Sequence, residues 1–150
     1  MAVIEGGRLM DVYTDGACLG NPGPGGWAWL VPGGESDSGG ERQTTNQRME
    51  LYAVLRALET FDGELRVHSD SAYVVNCYNQ KWWVGWERKG WRTASGTPVA
   101  NLDLWRPVID HFKERKGLVF VKVKGHSGDT YNEMADALAN SAARRIAQAK

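Results

Sequence analysis

The sequence predicts an α/β fold with a five-stranded mixed sheet and four or five helices. Short strands separated by Gly- and Pro-rich turns occupy the first third of the chain, which favours three antiparallel strands. A strand–helix–strand order follows, which favours parallel strands four and five joined by crossover helices. The 150 residues, 42% hydrophobic and 24% charged, are expected to form one domain over 1–150.

The antiparallel strands are predicted before residue 44. The first, Leu9–Asp15, alternates loosely between apolar and polar residues and ends at an Asp-Gly pair. A turn rich in Gly and Pro, Asn21–Gly26, leads to a second strand, Trp27–Val31. After the break at Pro32–Gly34, a polar stretch to about Gln43 is predicted to be a third strand at the sheet edge.

Helices and strands alternate in the next part of the chain. The first helix is predicted to begin near Asn46 and to end near Thr60. Because it is apolar almost all round, it is expected to be buried. Gly63 separates it from a fourth strand, Leu65–Ser69, and a second helix is predicted from Ser71.

The C-terminal half continues the same alternation. Asn101 is predicted to cap a further helix, which Pro107 kinks because proline lacks a backbone donor. The fifth strand is predicted at Leu118–Lys124. The last helix is predicted to start at Asp129 or Thr130.

Composition narrows the class of protein. No apolar run is long enough to cross a membrane, and the N-terminus lacks the apolar core of a signal peptide, so we expect a cytoplasmic protein that is not membrane-bound. Cys18 and Cys77 are too few for a disulfide framework or a structural zinc site. The formal net charge is zero, but Lys81–Arg92 is locally basic, so a polyanionic partner stays possible. A monomer is the default expectation.

Four acidic residues stand where packing alone does not require them. Asp15 ends the first predicted strand, although an Asp-Gly turn would also account for it. Glu50 lies in the first turn of the most apolar helix, where the helix dipole is an alternative explanation. Asp70 follows the fourth strand, where it could be a helix N-cap. Asp136 lies in the second turn of the last helix, where a solvated face is the simplest structural alternative.

The combination of these carboxylates favours a metal site. Asp15 and Asp70 both end predicted strands, and ligands of α/β sheets bind at such strand ends. If the two strands are parallel neighbours, the carboxylates lie within about 5–6 Å of each other. Oxygen ligands suit a hard ion such as Mg²⁺. Two such ions about 4 Å apart would activate a water and stabilise the leaving oxygen of a phosphodiester. Glu133, in contrast, fits a capping box with Thr130.

Several motifs resemble the bacterial type 1 ribonuclease H family, in order from about residue 9 to residue 143. They are YTDGACLGNPGPGG (Tyr13–Gly26), TTNQRMEL (Thr44–Leu51), HSDSAYV (His68–Val74), GWERKGWRT (Gly85–Thr93), NLDLW (Asn101–Trp105) and VKGHSGDTYNEMADALA (Val123–Ala139). The resemblance implies the ribonuclease H-like fold, with strands one, four and five parallel. It also implies hydrolysis of the RNA strand of RNA–DNA hybrids, with removal of primers and R-loops as the expected role.

The resemblance also implies an acidic tetrad of Asp15, Glu50, Asp70 and Asp136. Asp15 would bridge two Mg²⁺ ions, for which Mn²⁺ is a possible substitute. Asp136 would help to hold the ion that activates water, while Glu50 and Asp70 would hold the ion at the leaving 3′-oxygen. The products would carry 3′-hydroxyl and 5′-phosphate ends, and His126 would assist turnover and proton movement. No organic cofactor is implied.

The RNA–DNA hybrid would be recognised beside these carboxylates. By resemblance, Cys18, Asn21 and Asn46 contact the minor groove, and Thr45 grips a DNA phosphate. The same region contains departures from the commoner family pattern. Gln47 stands where Asn is usual, which keeps a substrate contact possible, and Ala72 replaces a Gln, which removes a polar contact.

The segment Lys81–Arg92 carries four tryptophans among its basic residues. Most of these rings are expected to pack a helix against the rest of the protein. Basic residues interleaved with aromatic ones also suit phosphate and sugar contact, as in the basic protrusion of the family. Trp86, Arg88, Lys89 and Arg92 are therefore candidate substrate contacts, the three cations along the DNA strand.

Three other classes of protein compete with this interpretation. Transposases, integrases and Holliday-junction resolvases share the fold and its metal chemistry but lack the GHSG loop and the Trp-rich basic segment at these positions. A non-catalytic hybrid-binding module would be expected to lack at least one of the four carboxylates. A small zinc or calcium protein would need ligand spacing that the cysteines and histidines do not show.

Overall fold

Five strands form one sheet in the computed structural model, which describes residues 9–124 and 129–149. Their bounds are β1 (Met10–Cys18), β2 (Gly23–Leu30), β3 (Ser36–Thr44), β4 (Leu65–Ser69) and β5 (Leu118–Lys122). The order across the sheet is β3-β2-β1-β4-β5. The β1–β2 and β2–β3 pairs are antiparallel, and the β1–β4 and β4–β5 pairs are parallel. The predicted mixed sheet is therefore confirmed.

Five helices lie in the described ranges. They are α1 (Asn46–Thr60), α2 (Ala72–Asn79), α3 (Trp82–Arg88), α4 (Leu102–Glu114) and α5 (Thr130–Gln148). The helix α1 packs against β1, β2 and α4, whereas α5 packs against β1, β2 and β3. None of the helices in the described part of the chain is long and apolar enough to span a membrane.

Strand β2 shows how the two faces of the sheet are covered. Trp27 and Trp29 lie in the main core with the buried residues of α1, whereas Ala28 packs with Ala139 of α5. Side chains alternate between the faces of a strand, so α1 and α5 cover opposite faces. A Cβ on Gly26 would lie 2.2 Å from the carbonyl oxygen of Ala139, so glycine is required for α5 to approach the sheet this closely.

Three predicted strand boundaries are wrong. Strand β1 does not end at Asp15 but continues to Cys18, and β2 begins at Gly23, inside the predicted turn. The antiparallel ladder extends to the pair Cys18↔Gly25, which places these glycines in the sheet. Strand β5 ends at Lys122, two residues earlier than predicted. The composition of the Gly/Pro segment predicted a turn, whereas its backbone completes the ladder with β1.

Of two predicted caps, Asn101 has the predicted position without the capping hydrogen bond, and the Thr130–Glu133 capping box is wrong. Asn101 precedes α4 with a left-handed φ of 61°, and its side chain makes no capping hydrogen bond. Its amide instead donates to the hydroxyl of Tyr73, 3.2 Å away. The N-cap of α5 is Asp129, which accepts from the backbone N–H of Asn132, so the proposed Thr130–Glu133 capping box does not form. Pro107 lies inside α4, which continues to Glu114.

Candidate active site

Three carboxylates converge at the C-terminal end of β4, next to β1. Asp15, Glu50 and Asp70 each offer one oxygen, and these oxygens lie within 4.8 Å of one another. Asp15 comes from β1, Glu50 from α1, and Asp70 from the residue after β4. The group therefore joins three elements that are far apart in the chain.

The parallel register of β1 and β4 accounts for the approach of Asp15 to Asp70. Met10 pairs with Leu65 and Tyr13 pairs with His68, so partners lie 55 positions apart in the sequence. Asp15 and Asp70 have the same separation, two residues beyond the last pair. Because side chains two residues apart share one face of a strand, Asp15 lies on the face of β1 that carries Tyr13. Asp70 directly follows the end of the neighbouring strand β4.

A glycine allows Glu50 to reach the other two carboxylates. A Cβ on Gly16 would lie 2.4 Å from both the backbone nitrogen of Glu50 and the carbonyl carbon of Met49. Only glycine avoids this overlap, so α1 packs directly against β1 at the level of the site. Glu50 is the fifth residue of α1 and lies beyond its first turn, contrary to the prediction.

Burial makes the carboxylate group electrostatically unfavourable by itself. The exposed fractions of Asp15 and Glu50 are 2% and 6%. Burial and the negative charge of Asp70 raise the pKa of Asp15 to about 8. Burial and the charge of Asp15 raise the pKa of Glu50 well above its ordinary value. Asp15 Oδ1 accepts from the Gly16 N–H at 2.8 Å, but Asp15 Oδ2 and Glu50 Oε1 have no hydrogen-bond partner within the described residues.

Local structure does not explain these positions. Asp15 is not in an Asp-Gly turn, because β1 continues through Gly16. Asp70 is not the N-cap of α2: the cap is Ser71, whose side chain accepts from the backbone N–H of Val74. Glu50 is buried and lies past the first turn, so the helix dipole does not explain it. Buried carboxylate oxygens that lie close together and lack hydrogen-bond partners are suitable ligands for a divalent cation.

Asp136 lies beside this group but is not a member of it. Its negative charge contributes to the raised pKa of Asp15, which places it within electrostatic reach. Asn140, one turn later on α5, donates to Asp136 Oδ1 at 3.2 Å and to its backbone carbonyl at 2.9 Å. The sequence interpretation missed Asn140, although its spacing of four residues on a helix was a readable signal. His126 lies outside the described residues.

The N-terminus of α1 brings together four of the candidate substrate contacts. Thr45 is its N-cap and accepts from the backbone N–H of Arg48 at 3.2 Å. The N–H of Asn46 donates to Asn21 Oδ1 at 2.9 Å, which joins the β1–β2 turn to this helix. Cys18 Sγ lies within 3.4 Å of the carbonyl oxygen of Thr44.

The first turn of α1 is also held by an ion pair with α4. The Arg48 guanidinium donates to both oxygens of Asp103, at 2.9 and 2.7 Å, which fastens α1 to the start of α4. Asn46 and Gln47 are exposed beside this ion pair. Ala72 is exposed at the first position of α2.

The basic segment Lys81–Arg92 combines buried rings with exposed charges. Trp83 is buried, and Trp86 packs edge-to-face against Trp105 with the ring centroids 5.5 Å apart. The cations of the segment, Lys81, Arg88, Lys89 and Arg92, are all exposed. Arg92 donates to the carbonyl of Gly96 at 2.8 Å. The rings thus attach the segment to the protein, and the cations face solvent.

Comparison with known proteins places these features in a family. Residues 8–144 match the RNase H family. A ribonuclease H from Syntrophomonas wolfei is 48% identical over 141 residues, which are 90% of this chain and 96% of that protein. A ribonuclease H from Novosphingobium aromaticivorans is 48% identical over 141 residues, 91% of this chain and 97% of the relative.

Solved structures give the same result for the fold. The type 1 enzyme LC9-RNase H1, described as carrying the type 2 active-site motif, is 31% identical with a TM-score of 0.76, over 92% of this chain and 73% of that one. LC11-RNase H1, solved in complex with an RNA/DNA hybrid, is 25% identical with a TM-score of 0.70, over 93% of this chain and 99% of that one. A family match over nearly the whole chain, with close relatives of similar length, identifies this chain as a member of the RNase H family.

Proposed function

We propose that this protein is a metal-dependent endonuclease that hydrolyses the RNA strand of RNA–DNA hybrids. The observation that carries the proposal is the group of Asp15, Glu50 and Asp70, buried with unpaired oxygens in a chain of the RNase H family. Catalysis is expected to leave 3′-hydroxyl and 5′-phosphate ends. The three carboxylates argue against a non-catalytic binding module, because a binding surface gains nothing from buried, mutually repelling acids.

The proposed cofactor is Mg²⁺, two ions during catalysis, with Mn²⁺ as a possible substitute. The oxygen-only donor set favours a hard cation, and two of its buried oxygens have no hydrogen-bond partner in the described residues. Asp15, Glu50, Asp70 and Asp136 would hold the cations. When bound, divalent cations activate a water and stabilise the charge that develops on the leaving oxygen of a phosphodiester.

The four carboxylates and His126 are proposed to have different roles in the reaction. Asp15, whose pKa is raised by the charges of both Asp70 and Asp136, would help to hold both cations. Asp136 is proposed to help hold the cation that activates the attacking water. Asn140 donates a hydrogen bond to the Asp136 carboxylate and would fix its orientation. Glu50 and Asp70 would help to hold the cation at the leaving 3′-oxygen. His126 is proposed to move protons and to assist turnover.

Hybrid recognition is proposed at the N-terminus of α1. Cys18, Asn21, Asn46 and Gln47 would contact the minor groove, where the 2′-hydroxyl distinguishes RNA from DNA. Thr45 would hold a DNA phosphate. Its hydroxyl oxygen accepts from Arg48 and its O–H remains available to donate to a phosphate oxygen.

The basic segment is proposed to bind the DNA strand beyond the active site. Arg88, Lys89 and Arg92 are exposed cations that can reach successive phosphates. Trp86 is proposed to contribute the part of its ring that does not pack against Trp105. Because none of these groups belongs to the carboxylate group, their substitution can test binding separately from cleavage.

The test is cleavage of end-labelled RNA annealed to DNA in Mg²⁺, beside RNA–RNA and DNA–DNA duplexes. Asp70→Asn removes one charge from the carboxylate group, and exposed Asp62→Asn is the matched control. The proposal expects cutting only in the RNA of the hybrid, lost in Asp70→Asn and retained in Asp62→Asn. Cleavage of the DNA duplex at an equal rate would indicate another nuclease of this fold. Tight hybrid binding without any cleavage in Mg²⁺ or Mn²⁺ would indicate a binding module.

A further inference from the structure

Three aromatic rings stack next to the carboxylate group. The rings of Tyr13 on β1 and His68 on β4 are nearly parallel, with an interplanar angle of 7° and centroids 4.3 Å apart. Tyr131, in the first turn of α5, packs on Tyr13 with a centroid distance of 5.5 Å. We refer to Tyr13, His68 and Tyr131 as the ring cluster. It connects two strands and a helix that have no other aromatic contact with one another among the described residues.

The ion pair of Asp11 with Arg66 also holds the His68 ring of the cluster. Asp11 Oδ1 lies 2.8 Å from His68 Nε2 and 2.6 Å from Arg66 Nε. These hydrogen bonds lower the pKa of Asp11, with the bond from Arg66 the largest cause. The imidazole is therefore held by Asp11 at one edge and by Tyr13 on one face, which restricts its rotation.

Each ring belongs to an element that carries one of the proposed cation ligands or is directly followed by one. Tyr13 precedes Asp15 by two residues on β1, and His68 precedes Asp70 by two residues at the end of β4. Tyr131 lies on α5, as does Asp136. Along β1 and β4, the ring cluster therefore lies two residues before the carboxylates. Its members lie in or next to three of the four segments that supply carboxylates.

The position of α5 matters most, because Asp136 lies beside the three-carboxylate group rather than in it. The later turns of α5 are fixed by close packing: Ala139 and Ala142 contact Gly26, and Ile146 contacts Gly40. At the start of the helix, Tyr131 packs on Tyr13 of β1, next to the buried residues Asn132 and Ala135. A shift at this end would move Asp136 relative to Asp15 and Asp70.

We infer that the ring cluster is a positioning device that holds Asp136 against Asp15 and Asp70 and so sets the affinity of the site for divalent cations. The inference rests on the proposed function for the identity of the cation ligands. Ligands need support from neighbouring groups to keep a metal geometry, and loss of such support weakens metal binding. Tyr131 acts through the backbone of α5 and is not expected to touch substrate.

The experiment compares Tyr131→Ala with Tyr131→Phe and with Met134→Ala. Phenylalanine keeps the ring, and Met134 is another exposed, large apolar residue of α5, 49% exposed against 37% for Tyr131. Mn²⁺ binding is measured by electron paramagnetic resonance on the metal-free protein without nucleic acid. The Mg²⁺ concentration for half-maximal hybrid cleavage is measured separately. Circular dichroism establishes that each variant is folded.

We expect Tyr131→Ala to weaken Mn²⁺ binding about 10-fold and to raise the Mg²⁺ midpoint by a similar factor. Its kcat at saturating Mg²⁺ should stay near that of the parent protein, and Tyr131→Phe and Met134→Ala should behave like the parent. Unchanged Mn²⁺ binding in folded Tyr131→Ala would overturn the inference. If that variant does not fold, Tyr131→Leu replaces it, with the same expected direction and the same overturning result.

The two readouts separate this inference from the proposed function. A parent protein that binds Mn²⁺ but cuts no hybrid would contradict the proposed function and leave the effect of Tyr131 on cation binding measurable. A parent that cuts hybrids while Tyr131→Ala keeps both its Mn²⁺ affinity and its Mg²⁺ midpoint would contradict the inference alone. Weakening by Tyr131→Phe equal to that by Tyr131→Ala would also overturn it, because the ring is then irrelevant.

Discussion

The carboxylate group and the basic segment Lys81–Arg92 are built in opposite ways. The carboxylate group places charges in the interior, and its geometry depends on one strand register and on one glycine. The basic segment buries its rings and leaves Arg88, Lys89 and Arg92 in solvent. Charges in the interior interact strongly and tolerate little displacement, whereas exposed charges act at longer range and are screened by salt. A change of similar size should therefore have very different effects in the two regions.

The largest effect is expected from Gly16→Ala. The new Cβ would overlap backbone atoms of Met49 and Glu50, so α1 must move away from β1. Overpacking of this kind costs about 1–3 kcal/mol of stability. Displacement of Glu50 should lower hybrid cleavage about 100-fold, since misplacement by about 1 Å can cost that much. Thermal unfolding and single-turnover cleavage measure the two effects.

The control for this change is Gly34→Ala, where the nearest atom to a new Cβ is a side-chain carbon of Val31 at 3.4 Å. It should leave cleavage unchanged. Equal activity of the two alanine variants would show that the approach of α1 to β1 does not set the geometry of the site.

The second-largest effect is expected from Asp15→Asn, which should change the pH dependence of stability when no divalent cation is bound. A carboxyl whose pKa is raised from 3.8 to about 8 on folding binds its proton more tightly in the folded state. Stability is then lost as the pH rises from about 4 to 8, because the unfolded chain ionises first. In EDTA at pH 8, Asp15→Asn should stabilise the protein by roughly 2–4 kcal/mol, and much less at pH 4.5. Thermal unfolding at the two pH values measures the difference.

Exposed Asp110→Asn is the control and should change stability little at either pH. Added Mg²⁺ should stabilise the parent protein at pH 8 more than Asp15→Asn, because a ligand stabilises the state that binds it. The same pH dependence in parent and Asp15→Asn would contradict the electrostatic account of the site.

A third, smaller effect is expected in the basic segment. Substitution of Arg88, Lys89 and Arg92 by alanine should weaken hybrid binding and reduce the slope of log K against log salt by about 2–3. Binding is measured in the Asp70→Asn background, so that the hybrid is not cut. Thermal stability should change little, because the three side chains are exposed.

A matched triple substitution outside the segment, at Lys116, Arg144 and Arg145, also removes three exposed cations. It should leave the salt slope close to that of the parent. If both triple variants lower the slope equally, the effect comes from overall charge and the basic segment has no special role.

The smallest effect is expected at Ala72, which is exposed at the start of α2, two residues after Asp70. Ala72→Gln should tighten hybrid binding about fivefold, the equivalent of one hydrogen bond of about 1 kcal/mol. Ala72→Leu is the control for added bulk. Equal affinity of parent and Ala72→Gln would show that this position makes no polar contact with the hybrid.

Much of the fold was readable from the sequence where apolar periodicity was strong. The bounds of α1 and β4 agree with the predicted ones, because α1 is apolar almost all round and β4 alternates between buried and half-buried residues. The β1–β2 region was misjudged, because its glycines indicate a turn by composition but serve close packing in a sheet. The Asn101 cap failed because the side chain found a partner in Tyr73, far along the chain.

The candidate site was predictable to a different degree. The approach of Asp15 to Asp70 followed from the expectation of parallel neighbouring strands, which the register confirms. The reach of Glu50 depends on the packing of α1 against Gly16, which no periodicity in either segment encodes. The ring cluster was overlooked because alternation of Asp11, Tyr13 and Asp15 along one face becomes visible only when β4 is placed beside β1.

The shared register of β1 and β4 has a consequence for insertions and deletions. Since side chains alternate along a strand, one residue added between Met10 and Asp15 would turn the Asp15 carboxylate from the α5 face towards α1. No single substitution could restore it. The length of the stretch from Met10 to Asp15 should therefore be as important to the site as the identity of Asp15 itself.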